Sequence, residues 1–190
     1  SMLESIQTLD ATVLLWIQEH LRTALLNGPM VFVSTLGNAG VFWIVLGLIL
    51  SCIPKTRKYG ILALLSLLVC FLFNNILLKN LIARPRPYTQ IPELIMLMKC
   101  PADHSFPSGH ACSSFAVAGS LMWTTKRRWN ALRIPALILA ILIAFSRLYV
   151  GVHYPTDILA GVAIGLLGSF IICHLCAKPY DKLVQKRKQR

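Results

Sequence analysis

Acidic side chains are rare in this chain, with 7 Asp and Glu against 19 Lys and Arg. That scarcity argues against a metal site built on clustered carboxylates. Outside the motif stretches, only Asp103 and His104 stand side by side, and they read as loop. Cysteine supplies no substitute. Cys52, Cys70, Cys112, Cys173 and Cys176 lie in or beside apolar runs and Cys100 lies in a loop, without paired metal-ligand spacing, so free thiols are expected. No metal and no cofactor is expected. Charge of either sign is sparse, at 14% of residues, where a soluble domain carries about 25%. Internal repeats are absent too, which counts against the many transporters built from them.

What fills the space is apolar. Hydrophobic residues make up 56% of the 190, and the mean hydropathy is +0.65. Lipid is therefore the expected solvent for most of a single domain covering residues 1–190, with Ser1 read as a cloning remnant ahead of Met2. A spanning helix needs about 20 mostly apolar residues. Four runs qualify, at 59–79, 109–125, 134–150 and 155–177. A fifth, at 29–53, is interrupted by "STLGNAG", a break tolerable only where other helices cover it. Residues 3–26 mix Glu4, Asp10, Glu19, His20 and Arg22 with Leu14, Leu15, Trp16, Ile17 and Leu21. They read as an amphipathic helix in the interface, or alternatively as a sixth span. The expectation is an all-α integral membrane bundle of five, possibly six, transmembrane helices. Residues 88–104 read as loop, broken by Pro92 and Pro101. Gly161, Gly165 and Gly168 would let a neighbouring helix approach closely.

The net charge of +12 does not point to nucleic acid, because most of the basic residues fall in three clusters that cap apolar runs. These are Lys55, Arg57 and Lys58; Lys126, Arg127, Arg128 and Arg133; and the 178–190 tail with Lys178, Lys182, Lys186, Arg187, Lys188 and Arg190. Five spans put all three clusters on one side, which the positive-inside rule assigns to the cytoplasm along with the C-terminus. The extracytoplasmic side then holds residues 1–28, the 80–108 loop and the 150–155 turn. The stretches "KNLIARPRPY", "FPSGH" and "SRLYVGVHYPTD" all land on that side, although they played no part in the assignment.

These stretches place Lys79, Arg84, Arg86, His110, Arg147, His153 and Asp157 at or just inside the outer ends of spans. A lone Lys79 reads equally as a snorkelling anchor. Arg147 does not, since it lies within an apolar helix on the side lacking basic clusters, and ionisable groups there are costly. Converging cations with few acids call for an anion, and arginine forks suit phosphate oxygens. Ser108-Gly109-His110 opens a helix whose free N–H groups point to the same place, with Ser108 also a candidate N-cap. Asp157, two residues after Pro155, can reach one ring nitrogen of His153 and leave the other as a nucleophile; its plainer role is to stabilise a helix N-terminus. His110 can protonate a departing oxygen.

Lys79-x6-Arg86-Pro87, Pro107-Ser108-Gly109-His110 and Ser146-Arg147-x5-His153-x3-Asp157 together resemble the three-part signature of the type 2 phosphatidic acid phosphatase superfamily, which includes vanadium haloperoxidases and glucose-6-phosphatase. The resemblance covers residues 79–157 and implies roles by position. Lys79, Arg86, Arg147, Ser108 and the Gly109 amide would hold the phosphoryl oxygens. His153 would form a phosphohistidine with Asp157 orienting it, and His110 would serve the leaving group and then water. Arg84 would be at most a supporting phosphate contact, and Ser146 a packing or supporting residue.

A site at the outer ends of spans can take a head group while the tail stays in the bilayer, so the expected partners are lipid phosphates or diphosphates and the membrane itself. The "DHSFPSGH" context is most similar to bacterial undecaprenyl diphosphate phosphatases, with phosphatidylglycerol phosphate, phosphatidic acid and diacylglycerol diphosphate as competing substrates. An anion-binding transporter is the rival of another class. Oligomeric state is not legible.

Overall fold

The computed structural model describes residues 2–99 and 101–188. The loop thiol Cys100 and the ends of the basic tail, Gln189 and Arg190, lie outside them. Nine α-helices follow one another, with no strand among the described residues: α1 (Met2–His20), α2 (Ala24–Leu36), α3 (Val41–Cys52), α4 (Arg57–Phe71), α5 (Lys79–Ile82), α6 (Pro87–Gln90), α7 (Gly109–Thr124), α8 (Asn130–Tyr149) and α9 (Pro155–Lys188).

Length and composition qualify three stretches to cross a membrane, Arg57–Gln90, Arg127–Tyr149 and Pro155–Lys186. A fourth is the pair α2 and α3, bent by 48° at its break. The bend falls in the expected glycine-rich stretch: Ala39 and Gly40 adopt left-handed backbone at φ 50 and φ 66, which ends one helix and re-aims the next. The remaining expected run, 109–125, is α7. At 16 residues it is shorter than a lone span, and it is the bundle's axis, packed by α4, α8 and α9. Every residue from Ala111 to Leu121 is buried. Small side chains (Ala111, Ala116, Ala118, Gly119) allow that crowding, and Trp43 donates to Ser114 Oγ at 2.9 Å across it. Large apolar residues on the outer helices (Leu48, Leu68, Ile138, Leu167, Leu175) remain exposed, as expected of surfaces that meet lipid.

The long loop is more ordered than expected. It carries the helical turn α6 in "PYTQ", started by Pro87 at its first position. Helix α9 continues without interruption past residue 177, through Pro179, to Lys188. Helix α1 buries Leu14 beside Ile91, Leu94 and Tyr154, and Ile17 beside Tyr149, Val150 and Val152. It thus lies over the loop and the α8–α9 turn, with Leu9 and Trp16 facing out.

Helices α7 and α9 meet over glycines. A Cβ on Gly165 would sit 2.6 Å from Cys112 O and 2.8 Å from Ala116 N, and one on Gly161 would sit 2.5 Å from Ser108 O. These are backbone atoms of a buried helix and cannot yield. Gly165→Ala should therefore cost about 1–3 kcal/mol as overpacking, read as a fall of several degrees in Tm in detergent. Gly28→Ala, with nothing within 4 Å of the added carbon, should leave Tm unchanged or raise it slightly.

Candidate active site

Irregular backbone delivers Lys79, Arg86 and His153, whereas His110 and Arg147 sit on the regular helices α7 and α8. Helix α4 runs into a π-helical turn, Leu72–Leu78, immediately before Lys79; such turns rotate the next residues about the helix axis and often mark sites. Within it the buried Asn74 donates to Asn75 Oδ1 at 2.6 Å and to Pro107 O at 3.4 Å, tying this segment to the PSGH stretch. Ala83 at φ 50 then breaks the chain, so Arg86 lies on extended backbone before α6. Ser108 caps α7, its Oγ accepting from Ala111 N, while its own N–H donates to Asp157 O at 3.0 Å. Gly151, at φ 86, turns the chain from α8 toward His153.

These pieces meet at one cavity of about 790 Å³, lined by Lys79, Arg86, Gly109, His110, Arg147 and His153 among others. The three motifs, far apart in sequence, share one pocket. Its polar end is strongly positive. Lys79 Nζ contacts Asp103 Oδ2 at 2.5 Å, and Arg86 Nη2 contacts Asp103 Oδ1 at 2.6 Å. Arg147 has no carboxylate partner among the described residues. Its Nη1 donates to Ser34 Oγ at 2.6 Å, its Nε is buried without an acceptor, and the residue is 2% exposed. A buried guanidinium so poorly neutralised is expensive, and an anion in the cavity would offset that cost. The opposite wall is apolar, formed by Ile44, Leu64, Leu67, Leu68 and Phe71.

His153 is almost fully buried. Its Nδ1 lies 3.4 Å from Asp157 Oδ2, and its Nε2 lies 3.1 Å from Arg86 Nη1. An arginine N–H can only donate, so Nε2 carries the lone pair and Nδ1 the proton. Burial first, then the charges of Arg86, Arg147 and Lys79, hold this imidazole well below its ordinary pKa. It is therefore neutral at neutral pH. Asp157 is fully buried, accepting from Arg84 Nη1 at 2.7 Å, from Tyr154 N at 2.9 Å and from the Ser105 hydroxyl. His110 Nε2 donates to Asn38 Oδ1 at 3.0 Å, a side chain supplied by the break between α2 and α3.

Four expected site residues do not line the cavity. Ser108 is buried at the cap of α7. Asp157 stands behind His153. Ser146 spends its hydroxyl on Ile143 O at 2.7 Å, within the packing role expected of it. Arg84 does not reach the cavity as a phosphate contact; its guanidinium is held by Asp157, Asp10 and Thr156. Conversely, Asn38, Asn75 and Asp103 line the cavity, although no motif in the sequence marks them. Two asparagines inside apolar runs were the available signal for the first pair; for Asp103, only its adjacency to His104 was.

The bundle of apolar helices thus holds a cationic cavity around a buried, carboxylate-backed histidine. A sequence model of the PAP2 superfamily matches residues 59–180, and the chain belongs to that superfamily. It is 35% identical over 87% of its length to an undecaprenyl-diphosphatase of Sulfolobus acidocaldarius, covering 78% of that protein. It is 32% identical over 70% of its length to a decaprenylphosphoryl-5-phosphoribose phosphatase of Mycobacterium tuberculosis, covering 70% of that one. The crystal structure of a transmembrane PAP2-type phosphatidylglycerolphosphate phosphatase from Bacillus subtilis superposes with a TM-score of 0.73 at 29% identity, covering 92% of this chain and 87% of the other.

Asp103 pairs with both Lys79 and Arg86 at the polar end of the cavity. Partial burial pushes its carboxyl up, but Lys79 and then Arg86 outweigh that and hold it at about 2. It stays ionised above about pH 4, so an incoming anion always competes with it. Asp103→Asn should therefore strengthen inhibition by orthovanadate about three- to tenfold, a range that discounts a half-exposed ion pair for solvent screening. An inhibition curve on the detergent-solubilised protein measures it.

Proposed function

We propose that this protein hydrolyses the terminal phosphate of a polyprenyl diphosphate at the membrane, converting undecaprenyl diphosphate to undecaprenyl phosphate and inorganic phosphate. The observation that carries the reading is the joining, in one cavity, of an incompletely neutralised cationic end (Lys79, Arg86, Arg147) to an apolar wall (Leu64, Leu67, Leu68, Phe71). The first suits a phosphate and the second a hydrocarbon tail that need not leave lipid. The similarity to the undecaprenyl-diphosphatase of Sulfolobus acidocaldarius supports the choice of head group and tail.

In the first step His153 Nε2 attacks the terminal phosphorus as the bond to the bridging oxygen breaks. His110 gives its proton to that oxygen, and lipid monophosphate leaves. Lys79, Arg86 and Arg147 take up the charge that develops on the equatorial oxygens, the largest contribution to acceleration in phosphoryl transfer. Arg86 now donates to Nε2, and turning that donor to a phosphate oxygen frees the lone pair for attack. Asp157 accepts from Nδ1–H and stabilises the positive charge of the phosphoimidazole. In the second step His110 takes a proton from water as the water oxygen attacks phosphorus, releasing phosphate and restoring His153.

We place α7 as a fifth span at the bundle's centre and α1 at the interface. The basic clusters and the C-terminus face the cytoplasm, and the cavity opens on the opposite side. A second reading, hydrolysis of phosphatidylglycerol phosphate, draws on the fold shared with the Bacillus subtilis phosphatase.

Phosphate release from undecaprenyl diphosphate, phosphatidylglycerol phosphate and phosphatidic acid, compared side by side in detergent, tests both readings. The diphosphate is expected to have the highest kcat/KM; a preference for either glycerolipid would overturn the polyprenyl assignment. His153→Ala should reduce turnover at least about a thousandfold, since nucleophile and acid–base groups act as one unit. EDTA should leave the wild-type rate unchanged. Wild-type turnover in the alanine variant would exclude the phosphohistidine route, and no release from any lipid would favour an anion-binding transporter.

A further inference from the structure

Residue 10 lies far outside the stretch matched by the PAP2 superfamily, residues 59–180, yet its side chain is built into the back of the site. Asp10 is 3% exposed. Its Oδ1 accepts from Thr156 N at 3.1 Å; its Oδ2 accepts from Arg84 Nη2 at 2.7 Å and from the Thr156 hydroxyl. Arg84 turns its other nitrogen, Nη1, to Asp157 Oδ1 at 2.7 Å, with its guanidinium 3.9 Å over the Tyr154 ring. One guanidinium is thus clamped between two buried carboxylates. The second of them, through Oδ2, lies against His153 Nδ1.

We propose that Asp10, reaching in from α1, is a positioning residue for His153: it takes up the charge of Arg84 and so keeps Asp157 available to the imidazole. Arg84 neutralises one carboxylate of the pair, which leaves the Asp10–Arg84–Asp157 cluster with one net negative charge. That charge is what His153 needs as its lone pair goes to phosphorus and the ring becomes cationic. Without Asp10 the cluster is neutral, and Arg84 draws Asp157 toward itself and away from a contact already stretched to 3.4 Å. The plainer alternative is that Asp10 only docks α1. That helix has a separate polar tie at Gln18, whose side chain bonds Glu93 O and Ile95 N and does not reach Asp157.

The inference rests on the assignment of His153 as nucleophile, which His153→Ala tests separately. The experiment measures kcat, KM and the pH profile of kcat for full-chain Asp10→Asn and Gln18→Ala on undecaprenyl diphosphate in detergent, with Tm as a check on folding. Asp10→Asn is expected to lower kcat about tenfold, in the range seen when a group orienting an active-site histidine is removed, with KM within about twofold. The acid limb of kcat should move to lower pH, because losing a nearby negative charge makes His153 harder to protonate. The other charged and titratable groups facing His153, namely Arg86, Lys79, Arg147, Asp103, His110 and Asp157, are unaltered by the substitution. Gln18→Ala should leave kcat within about twofold of wild type, a bound that separates docking from positioning. If Asp10→Asn does not accumulate as folded protein, Arg84→Lys takes its place; it keeps the charge but cannot bridge two carboxylates, and the same fall in kcat is expected. An unchanged kcat, an unmoved acid limb, or an equal loss in Gln18→Ala would each overturn the proposal. Loss of turnover in His153→Ala together with wild-type behaviour of Asp10→Asn would sink this inference alone.

Discussion

Positive charge held inside an apolar bundle, with too little negative charge to balance it, is the constraint on which the rest depends. Lys79 and Arg86 share the carboxylate of Asp103, and among the described residues Arg147 donates to a hydroxyl and a thioether rather than to a carboxylate. In a low-dielectric surrounding such an arrangement is stable only if the fold holds it rigidly and an anion relieves it. The same imbalance that costs stability favours a phosphate ligand, and it favours most strongly the state in which that phosphate carries the greatest charge.

Holding those cations in place requires backbone that a lipid-facing helix cannot offer. Unsatisfied backbone groups are tolerated at membrane depth only where protein or a cavity covers them. The irregular segments obey that rule. The break at 37–40, the π-helical turn before Lys79, the reversal at Ala83 and the Gly151 turn all gather around the cavity or the loops behind it. The centre of the bundle is the opposite: α7 is regular, buried, and packed against α9 through glycines. A regular, buried axis carries His110 and the capped PSGH segment, and irregular joints bring the other motifs to it.

The site has two layers of charge. In front, cations meet the cavity. Behind His153, Asp157 and Asp10 enclose Arg84 in an arrangement of opposite net sign. The histidine stands between a positive end, which on the proposed function binds phosphate, and a negative cluster that can accommodate positive charge on the ring. An imidazole needs both to become a phosphohistidine and to be released from it.

Local chemistry explains how much could be read in advance. Apolar length marked the membrane class, and the cost of burial in lipid singled out Lys79, Arg86, His110, Arg147, His153 and Asp157, because an ionisable side chain in a hydrophobic run has few explanations. Three features were decided by tertiary structure. Arg84 and Arg86 sit two residues apart in one "RPRP" stretch, yet one backs Asp157 and the other faces the cavity; chain direction after Ala83 separates them, and no composition encodes that. Asp103 reads as an ordinary loop acid until the loop folds over the cations. Asp10 reads as one charge on an amphipathic helix until α1 lies across the α8–α9 turn. A residue's cost of burial is a property of its own side chain and is legible in one dimension; the partner that offsets that cost comes from 74 residues away for Asp10 and Arg84, and only the folded chain brings it there.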